Sequence, residues 1–344
     1  MLLPTPHRAA VDYGGLMPQH PHPVTEAEAE ARLRHDVELL SATPRNRNGH
    51  ADAVAAAHDF VEHQLLQAGW SVERQQFRRN LVVGVSDTGR GNAVSRLRLH
   101  RNLTGVNMVA TRPGSAPPYV VVGAHLDTVV DSPGADDNAS GVAAALELAR
   151  RLVQPSSVMI AIFDLEEVGF IGARALARRL AAEHAASAML CLESVGCYRD
   201  QPDSQQVPAG LGKLIAGEHA SQVIAQRRGD FVAVVHRRSS QSMAQRFCTA
   251  AAHHELPTVR VRDPRPDGVA GLLATAALPP LATLDRSDHL PFWRRGIPSI
   301  MLTDTANLRN HNYHRATDAP DTLDYPRLSR LVSALAELLS PSEA

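Results

Sequence analysis

Apolar positions along the chain change their period several times, and each change marks an element. TEAEAEARLRHDVELLSAT reads as a helix that opens on T-x-x-E, the capping-box pattern of Thr25 and Glu28. A second helix spans ADAVAAAHDFVEHQLLQAGW and stops near Gly69. SVERQQF and SRLRLHR alternate at period two, as half-buried strands do, whereas VNMVATRPG and PYVVVGAH are short apolar runs between turn signals and predict buried strands. The alternation then becomes regular. GVAAALELARRLV predicts a helix, SVMIAIFD a strand, GARALARRLAAEH a helix and SAMLCLE a strand. Further on come the strand DFVAVV, a helix from about Ser240, the strand SIMLTDT and a final helix, YPRLSRLVSALAELL.

Strands alternating with helices predict the α/β class: a mostly parallel mixed sheet covered by helices on both faces, a three-layer sandwich. In such sheets ligands bind outside the carboxyl ends of the strands. Residues 1–23 hold five prolines and no periodicity, and predict a flexible extension. The rest, 24–344, predicts a single domain with two irregular excursions, near 199–229 and 262–289.

Composition narrows the partners. Lys and Arg number 35 against 36 Asp and Glu, which argues against a nucleic-acid or anionic-membrane surface. Three cysteines (Cys191, Cys197, Cys248) are too few for a disulfide framework and fit a reducing compartment. No run approaches the ~18 apolar residues of a membrane span, and MLLPTPHRAAVDYGG has no signal-peptide core, so the expected setting is the cytoplasm.

Candidate chemistry gathers where strands end. GAHLDTVVDSPGADDNASG (Gly123–Gly141) packs one histidine and four aspartates behind an apolar run. Alone it could be turn and cap chemistry. Yet Glu166–Glu167 follow SVMIAIF, Glu193 ends SAMLCL, and His314 follows the last strand. All of these project at one sheet edge. Two divalent cations about 3.5–4 Å apart need a carboxylate between them, terminal ligands on each and an open face for water. Zinc accepts imidazole and carboxylate together. Adjacent residues leaving a strand diverge, so one glutamate of the Glu166–Glu167 pair can bind metal while the other faces the water.

HLD (His125–Asp127), GADDNASG (Gly134–Gly141), EEVGFIG (Glu166–Gly172) and YHRATDAPDT (Tyr313–Thr322) resemble, in order and spacing, the zinc aminopeptidase and glutamate carboxypeptidase II family of metallopeptidases, which also contains glutaminyl cyclases. The resemblance runs from about Asn107 to the carboxyl terminus. It implies two Zn2+: one held by His125, Asp137 and Glu193, the other by Asp137, Glu167 and His314, with Asp137 bridging. Many members have Asp where Glu193 stands. Glu166 falls at the family's general base. Asp127 matches the acid that would accept the second ring N–H of His125 and fix its tautomer, and Tyr313 matches a residue that polarises the substrate carbonyl.

The implied activity is peptide-bond hydrolysis by a metal-dependent exopeptidase, an aminopeptidase first; a carboxypeptidase, a specialised amidohydrolase or a single-zinc glutaminyl cyclase are the alternatives on this fold. The implied partner is a peptide or aminoacyl amide. Asp136 and Asn138 read as turn and cap residues. RSDHLPF (Arg286–Phe292) resembles a segment close to the family's site, which leaves His289 either lining the pocket or making a structural hydrogen bond. His311, three residues before His314, could mimic a ligand, but the family register favours His314. Cys191 and Cys197 read as small buried residues. YHRATD has Arg-Ala where the family often has Thr-Pro, and the protease-associated insert of larger relatives is absent.

Overall fold

A computed structural model describes residues 25–86 and 96–340. The predicted extension 1–23 falls outside them. The helices are α1 (Glu26–Leu40), α2 (Ala51–Gln67), α3 (Gly141–Arg151), α4 (Ile171–Ala182), α5 (Ala220–Gln226), α6 (Gln241–His253), α7 (Gly268–Ala277), α8 (His289–Arg294) and α9 (Tyr325–Leu339). The strands are β1 (Ser71–Ser86), β2 (Arg96–Thr111), β3 (Tyr119–His125), β4 (Val158–Phe163), β5 (Ala186–Glu193), β6 (Ile215–Ala216), β7 (Val232–His236), β8 (Thr258–Arg262) and β9 (Ser299–Thr303). Among the described residues no helix is long and apolar enough to cross a membrane.

The strands form one sheet in the order β1-β2-β4-β3-β5-β9-β7-β8-β6. The contiguous centre β4-β3-β5-β9 is parallel throughout, and β7 and β8 are parallel to each other. β1/β2, β2/β4, β7/β9 and β6/β8 are antiparallel. The predicted class holds. From β3 the chain crosses through α3 to β4 on one side, then through α4 to β5 on the other, so β3 is the topological switch point.

The two faces bury different helices. Val122 and Ala124 of β3 point into the larger core, with residues of α1, α2, α3, α6 and α9; Val121 points into the other, with α4 and α8. α3 is buried along Gly141–Ala149, which explains its alanines: small side chains let a helix lie close on a sheet. Its one acid, Glu147, is met by Arg32 of α1 at 2.7 Å and Arg151 at 3.1 Å. Both halves of the predicted capping box form on α1: Glu28 N–H donates to Thr25 Oγ1 at 3.3 Å, and Thr25 N–H to Glu28 Oε2 at 3.0 Å.

Two predicted strands, SRLRLHR and VNMVATRPG, are one: β2 runs unbroken against β1. Asn102, left-handed at φ 53°, takes up the turn signal as a local kink inside the strand. The excursions are also more regular than their pattern suggested. The first contains β6 and α5, and the second contains α7 and ends where α8 begins. α7, GVAGLLATAA, is apolar without a helical stripe, so periodicity could not find it.

Candidate metal centre

Six side chains meet at the carboxyl ends of the four central parallel strands. His125 is the last residue of β3 and Glu193 the last of β5. Glu166 and Glu167 follow β4, and His314 lies in the loop after β9. Asp137 sits in an irregular turn, Ala135–Ser140, between β3 and α3. The turn is forced by a glycine. Gly134 has φ 62°, and a Cβ there would stand 2.3 Å from the Asp137 carbonyl oxygen and 2.5 Å from Thr128 Cγ2.

Asp137 divides its two oxygens. Oδ1 lies 3.1 Å from His125 Nε2, and Oδ2 lies 2.9 Å from His314 Nε2. Glu193 Oε2 approaches His125 Nε2 at 3.4 Å, and Glu167 Oε1 approaches His314 Nε2 at 3.4 Å. Two groups of three potential ligands result, His125–Asp137–Glu193 and Asp137–Glu167–His314, with Asp137 in both. Around a tetrahedral zinc with bonds of about 2.0–2.1 Å, neighbouring ligand atoms lie about 3.3 Å apart. The observed separations straddle that value. Moreover, His125 Nε2, both oxygens of Asp137 and Glu167 Oε1 are buried and make no hydrogen bond. Buried polar atoms are nearly always satisfied, so atoms left over and turned toward one point fit a cation.

Electrostatics agree. Burial would depress the His125 imidazole, but the carboxylates of Glu166, Glu193 and Asp137 raise it well above its usual range. Burial would raise Asp137, yet His125 and His314 hold it below the usual carboxylate range. Glu166 is pushed well above its usual value, by burial first; His125 pulls the other way, and Glu167, Glu193 and Asp288 add to the rise. Burial likewise raises Glu167. Too many carboxylates face too few imidazoles, an imbalance that divalent cations offset.

The carboxylate of Asp127 does something other than the sequence suggested. It lies 3.9 Å from His125 Nδ1. The ring nitrogen instead meets the Asp127 backbone carbonyl at 3.0 Å. The carboxylate accepts the backbone N–H groups of Glu166 (2.9 Å) and Glu167 (3.1 Å), because His125 and Asp127 lie on one short turn and only the carbonyl faces the ring. Asp136 does not cap. Buried, it accepts from Gly196 N–H at 2.9 Å and Asn310 Nδ2 at 2.7 Å. Asn138, in the turn before α3, accepts from Gly141 N–H at 3.2 Å and also reaches the end of β5, accepting from Ser194 N–H and donating to the Leu192 carbonyl.

His289 turns away from the cluster. Fully buried, it donates through Nε2 to the Leu284 carbonyl at 2.8 Å and packs edge-on against Trp293. His311 is exposed and joins neither group. Tyr313 stacks on the His314 ring, centroids 3.8 Å apart. Cys191 and Cys197 are buried thiols, both pushed up by burial. Cys197 does fall with Asp136 and Asp304 in the remaining acid–thiol group among the described residues, but both aspartates already accept backbone N–H bonds there.

Several further contributors were not singled out by the sequence, although Ser287 and Asp288 lie in RSDHLPF and Asp318 in YHRATDAPDT. Ser287 Oγ donates to Glu193 Oε2 at 2.6 Å and fixes the longer arm of that residue. Asp288 is buried beside His125, Glu193 and Asp127, and neither of its oxygens makes a hydrogen bond. Asp318 accepts from the backbone N–H groups of Asp136 (3.0 Å) and Asp137 (3.1 Å). Arg45, from the loop between α1 and α2, donates to the carbonyls of Leu126, Pro133, Gly134 and Leu40. Asp318 closes the quoted YHRATD, so its motif was visible and its role was not.

Comparison with known proteins places this geometry. Residues 107–252 and 267–339 match Peptidase family M28. An uncharacterized protein of Escherichia coli (strain K12), YfbL, is 32% identical over 255 residues, covering 69% of this chain and 71% of that protein. An aminopeptidase of Pseudomonas aeruginosa (strain UCBPP-PA14) is 43% identical over 81 residues, 22% of this chain and 15% of that protein. The structure of BSAP, a zinc aminopeptidase from Bacillus subtilis, superposes with a TM-score of 0.62 at 17% identity, covering 94% of this chain and 98% of that one. With the match spanning the β3, β4, β5 and β9 loops that carry the cluster, the chain belongs to peptidase family M28 and is a metallopeptidase.

Proposed function

We propose that the chain is a two-zinc aminopeptidase that removes amino-terminal residues from peptides. The observation that carries this reading is the divided carboxylate of Asp137, shared by two groups of histidine and glutamate. His125, Asp137 and Glu193 would hold one ion, and Asp137, Glu167 and His314 the other. Bound there, the pair supplies Lewis acidity and a water acidified toward neutral pH.

The remaining work falls to the protein. Glu166 is buried at the cluster and takes the proton of the attacking water on its carboxylate, then returns it to the leaving amine. Burial raises its basicity toward neutrality, where such a proton shuttle works best. Burial also keeps the Tyr313 hydroxyl protonated, so it can donate to the oxygen of the substrate carbonyl. Asp127 holds Glu166 and Glu167 in register through their own backbone. The excess of carboxylates around the site suits a free ammonium terminus better than a free carboxylate, and a relative over part of the chain is an aminopeptidase. The free thiols of Cys191, Cys197 and Cys248 suit the cytoplasm.

The test is Glu166→Gln with elemental analysis. The variant is expected to retain both metals and to lose turnover of aminoacyl anilides by about 10²–10⁴-fold. Near wild-type turnover would remove Glu166 from this role. One metal per chain, or release of pyroglutamyl peptide and ammonia, would favour the cyclase reading instead.

A further inference from the structure

The loop that carries Glu166 and Glu167 closes on itself at a narrow neck. Gly172 N–H donates to the Asp164 carbonyl at 3.0 Å, and Ile171 N–H to the Leu165 carbonyl at 3.0 Å. Leu165 and Phe170 stand in the left-handed region, at φ 60° and 61°. Residues with a Cβ keep that conformation only where their surroundings impose it. Asp127 holds the tip of the loop, through the N–H groups of Glu166 and Glu167. The neck needs a hold of its own.

Asn107 of β2 supplies it. Its side chain is fully buried and spans the neck: Oδ1 accepts from Asp164 N–H at 3.2 Å, and Nδ2 donates to the Gly172 carbonyl at 2.9 Å. The fit leaves no slack, since a Cβ on Gly172 would stand 2.3 Å from Asn107 Oδ1 and 2.4 Å from the Asp164 carbonyl oxygen. Gln75 lies directly opposite Asn107 on β1, and its Oε1 accepts from Nδ2 at 2.8 Å. An inverted Asn107 amide would set donor against donor at Asp164 and acceptor against acceptor at Gly172. Gln75 therefore fixes the way the amide faces. It precedes the residues that match the family.

We infer that Asn107 and Gln75 are positioning residues for the reaction: Asn107 sets where Glu166 and Glu167 stand, and Gln75 holds Asn107. Both act through the neck of the loop, where their bonds end. The role rests on the reading of Glu166 as the base and Glu167 as a ligand of one ion. A base must stand about 2.6–3.2 Å from the oxygen whose proton it takes, and a misplacement of about 1 Å costs roughly 100-fold in rate. Glu167 serves one ion only, while His125 and Glu193 stand on other loops. A slack neck therefore loosens one ion and spares the other.

The experiment measures kcat and KM on aminoacyl p-nitroanilides, and stepwise zinc affinity against a chromophoric chelator, in wild type, Asn107→Ala, Gln75→Ala and Gln75→Glu. Gln75 is half-buried on the edge strand of the sheet, so its variants read the role even where Asn107→Ala fails to fold. Asn107→Ala is expected to lower kcat about 10–100-fold with KM within about threefold of wild type. One zinc affinity should fall about 10-fold and the other stay within about threefold. Gln75→Ala should show the same pattern at a smaller scale, about 3–10-fold in kcat and in that one affinity. Gln75→Glu keeps an acceptor for Asn107 Nδ2 and should return kcat to within about twofold of wild type. An unchanged kcat in Gln75→Ala, no rescue by Gln75→Glu, or equal weakening of both ions overturns the positioning role and leaves the side chains as supports of the sheet. Glu166→Gln keeps the two readings apart. If that variant stays active the base assignment falls, while selective weakening of one ion in Gln75→Ala still upholds the hold on the loop and its absence overturns it.

Discussion

Arg45 lies outside the residues that match the family, yet it grips the loops that carry the metal cluster. Its guanidinium is buried, and its acceptors are backbone carbonyls: Leu126 at 2.7 Å, Pro133 and Gly134 at 2.9 Å, and Leu40. Leu126 adjoins His125, and Gly134 opens the turn that presents Asp137. Arg45→Met keeps an unbranched apolar stem out to the ε position and removes every side-chain donor. Each buried carbonyl left unsatisfied costs about 1–3 kcal/mol, partly offset because a buried cation no longer has to be desolvated. Burial already pulls the Arg45 pKa down to about 10, so that offset is real. The net expectation is a loss of about 3–5 kcal/mol, the range seen when one partner of a buried charged contact is removed. Denaturant unfolding with chelator present measures this without metal linkage. Zinc affinity, read by competition with a chromophoric chelator, should fall about 10–100-fold, as for other groups that orient ligands. Arg45→Lys should be intermediate, since one ammonium cannot reach all four carbonyls. An Arg45→Met protein that unfolds within about 0.5 kcal/mol of wild type and binds zinc with unchanged affinity would refute this account.

Three further outcomes can be checked in the same assays. Asp318→Asn leaves one of the Asp136 and Asp137 N–H groups facing an amide NH2; zinc affinity by chelator competition should drop about 10–100-fold, and equal affinity would show the clasp to be idle. Burial lowers His289 from 6.5 to about 4, so the unfolded chain takes up this proton first, and stability falls between about pH 6.5 and pH 4 by about 3 kcal/mol. His289→Gln keeps a donor for Leu284 and should flatten that part of the stability–pH curve; a curve parallel to wild type would count against it. Glu147 is held below its usual pKa: burial opposes, but Arg32 and Arg151 prevail, so its contribution is present above about pH 4.5 and is lost as pH falls further. Glu147→Gln should therefore be less stable than wild type at pH 7, by urea unfolding, with the gap closing in acid.

What the sequence displayed was whatever depends on period and order. Strands buried on both faces, such as VVVGAH and MIAIF, announce a parallel centre, and a ligand-type residue just beyond each announces the edge where a site can form. What it could not display was direction. Asp127 was visible as an acid two residues from His125, but only the turn decides that its carbonyl, and not its carboxylate, faces the ring. His289 sits within RSDHLPF, yet the turn into α8 points it at Leu284, while Ser287, two residues earlier, reaches Glu193.

The cluster needs several acids close together in a dry place, and their repulsion must be restrained by something other than the metal. The chain does this with backbone N–H groups. Asp127, on the loop of His125, accepts the consecutive N–H groups of Glu166 and Glu167. Asp318, on the loop of His314, accepts those of Asp136 and Asp137. Asn138, next to Asp137, reaches Ser194, next to Glu193. Asp136 accepts from Gly196 beyond Glu193 and from Asn310 before His314. Each ligand loop is thus tied to another by a residue one to four positions from a ligand, and no tie uses the ligating atoms of His125, Asp137, Glu167 or His314. Such a frame leaves those atoms to face each other across a space that a cation fits. It also makes the ties interdependent: with the Asp318 carboxylate removed, the turn of Asp137 would hang on Asp136, Asn138 and Arg45. Losses in an Asp318→Asn, Arg45→Lys pair should therefore depart from additivity, as they do for residues that share one network.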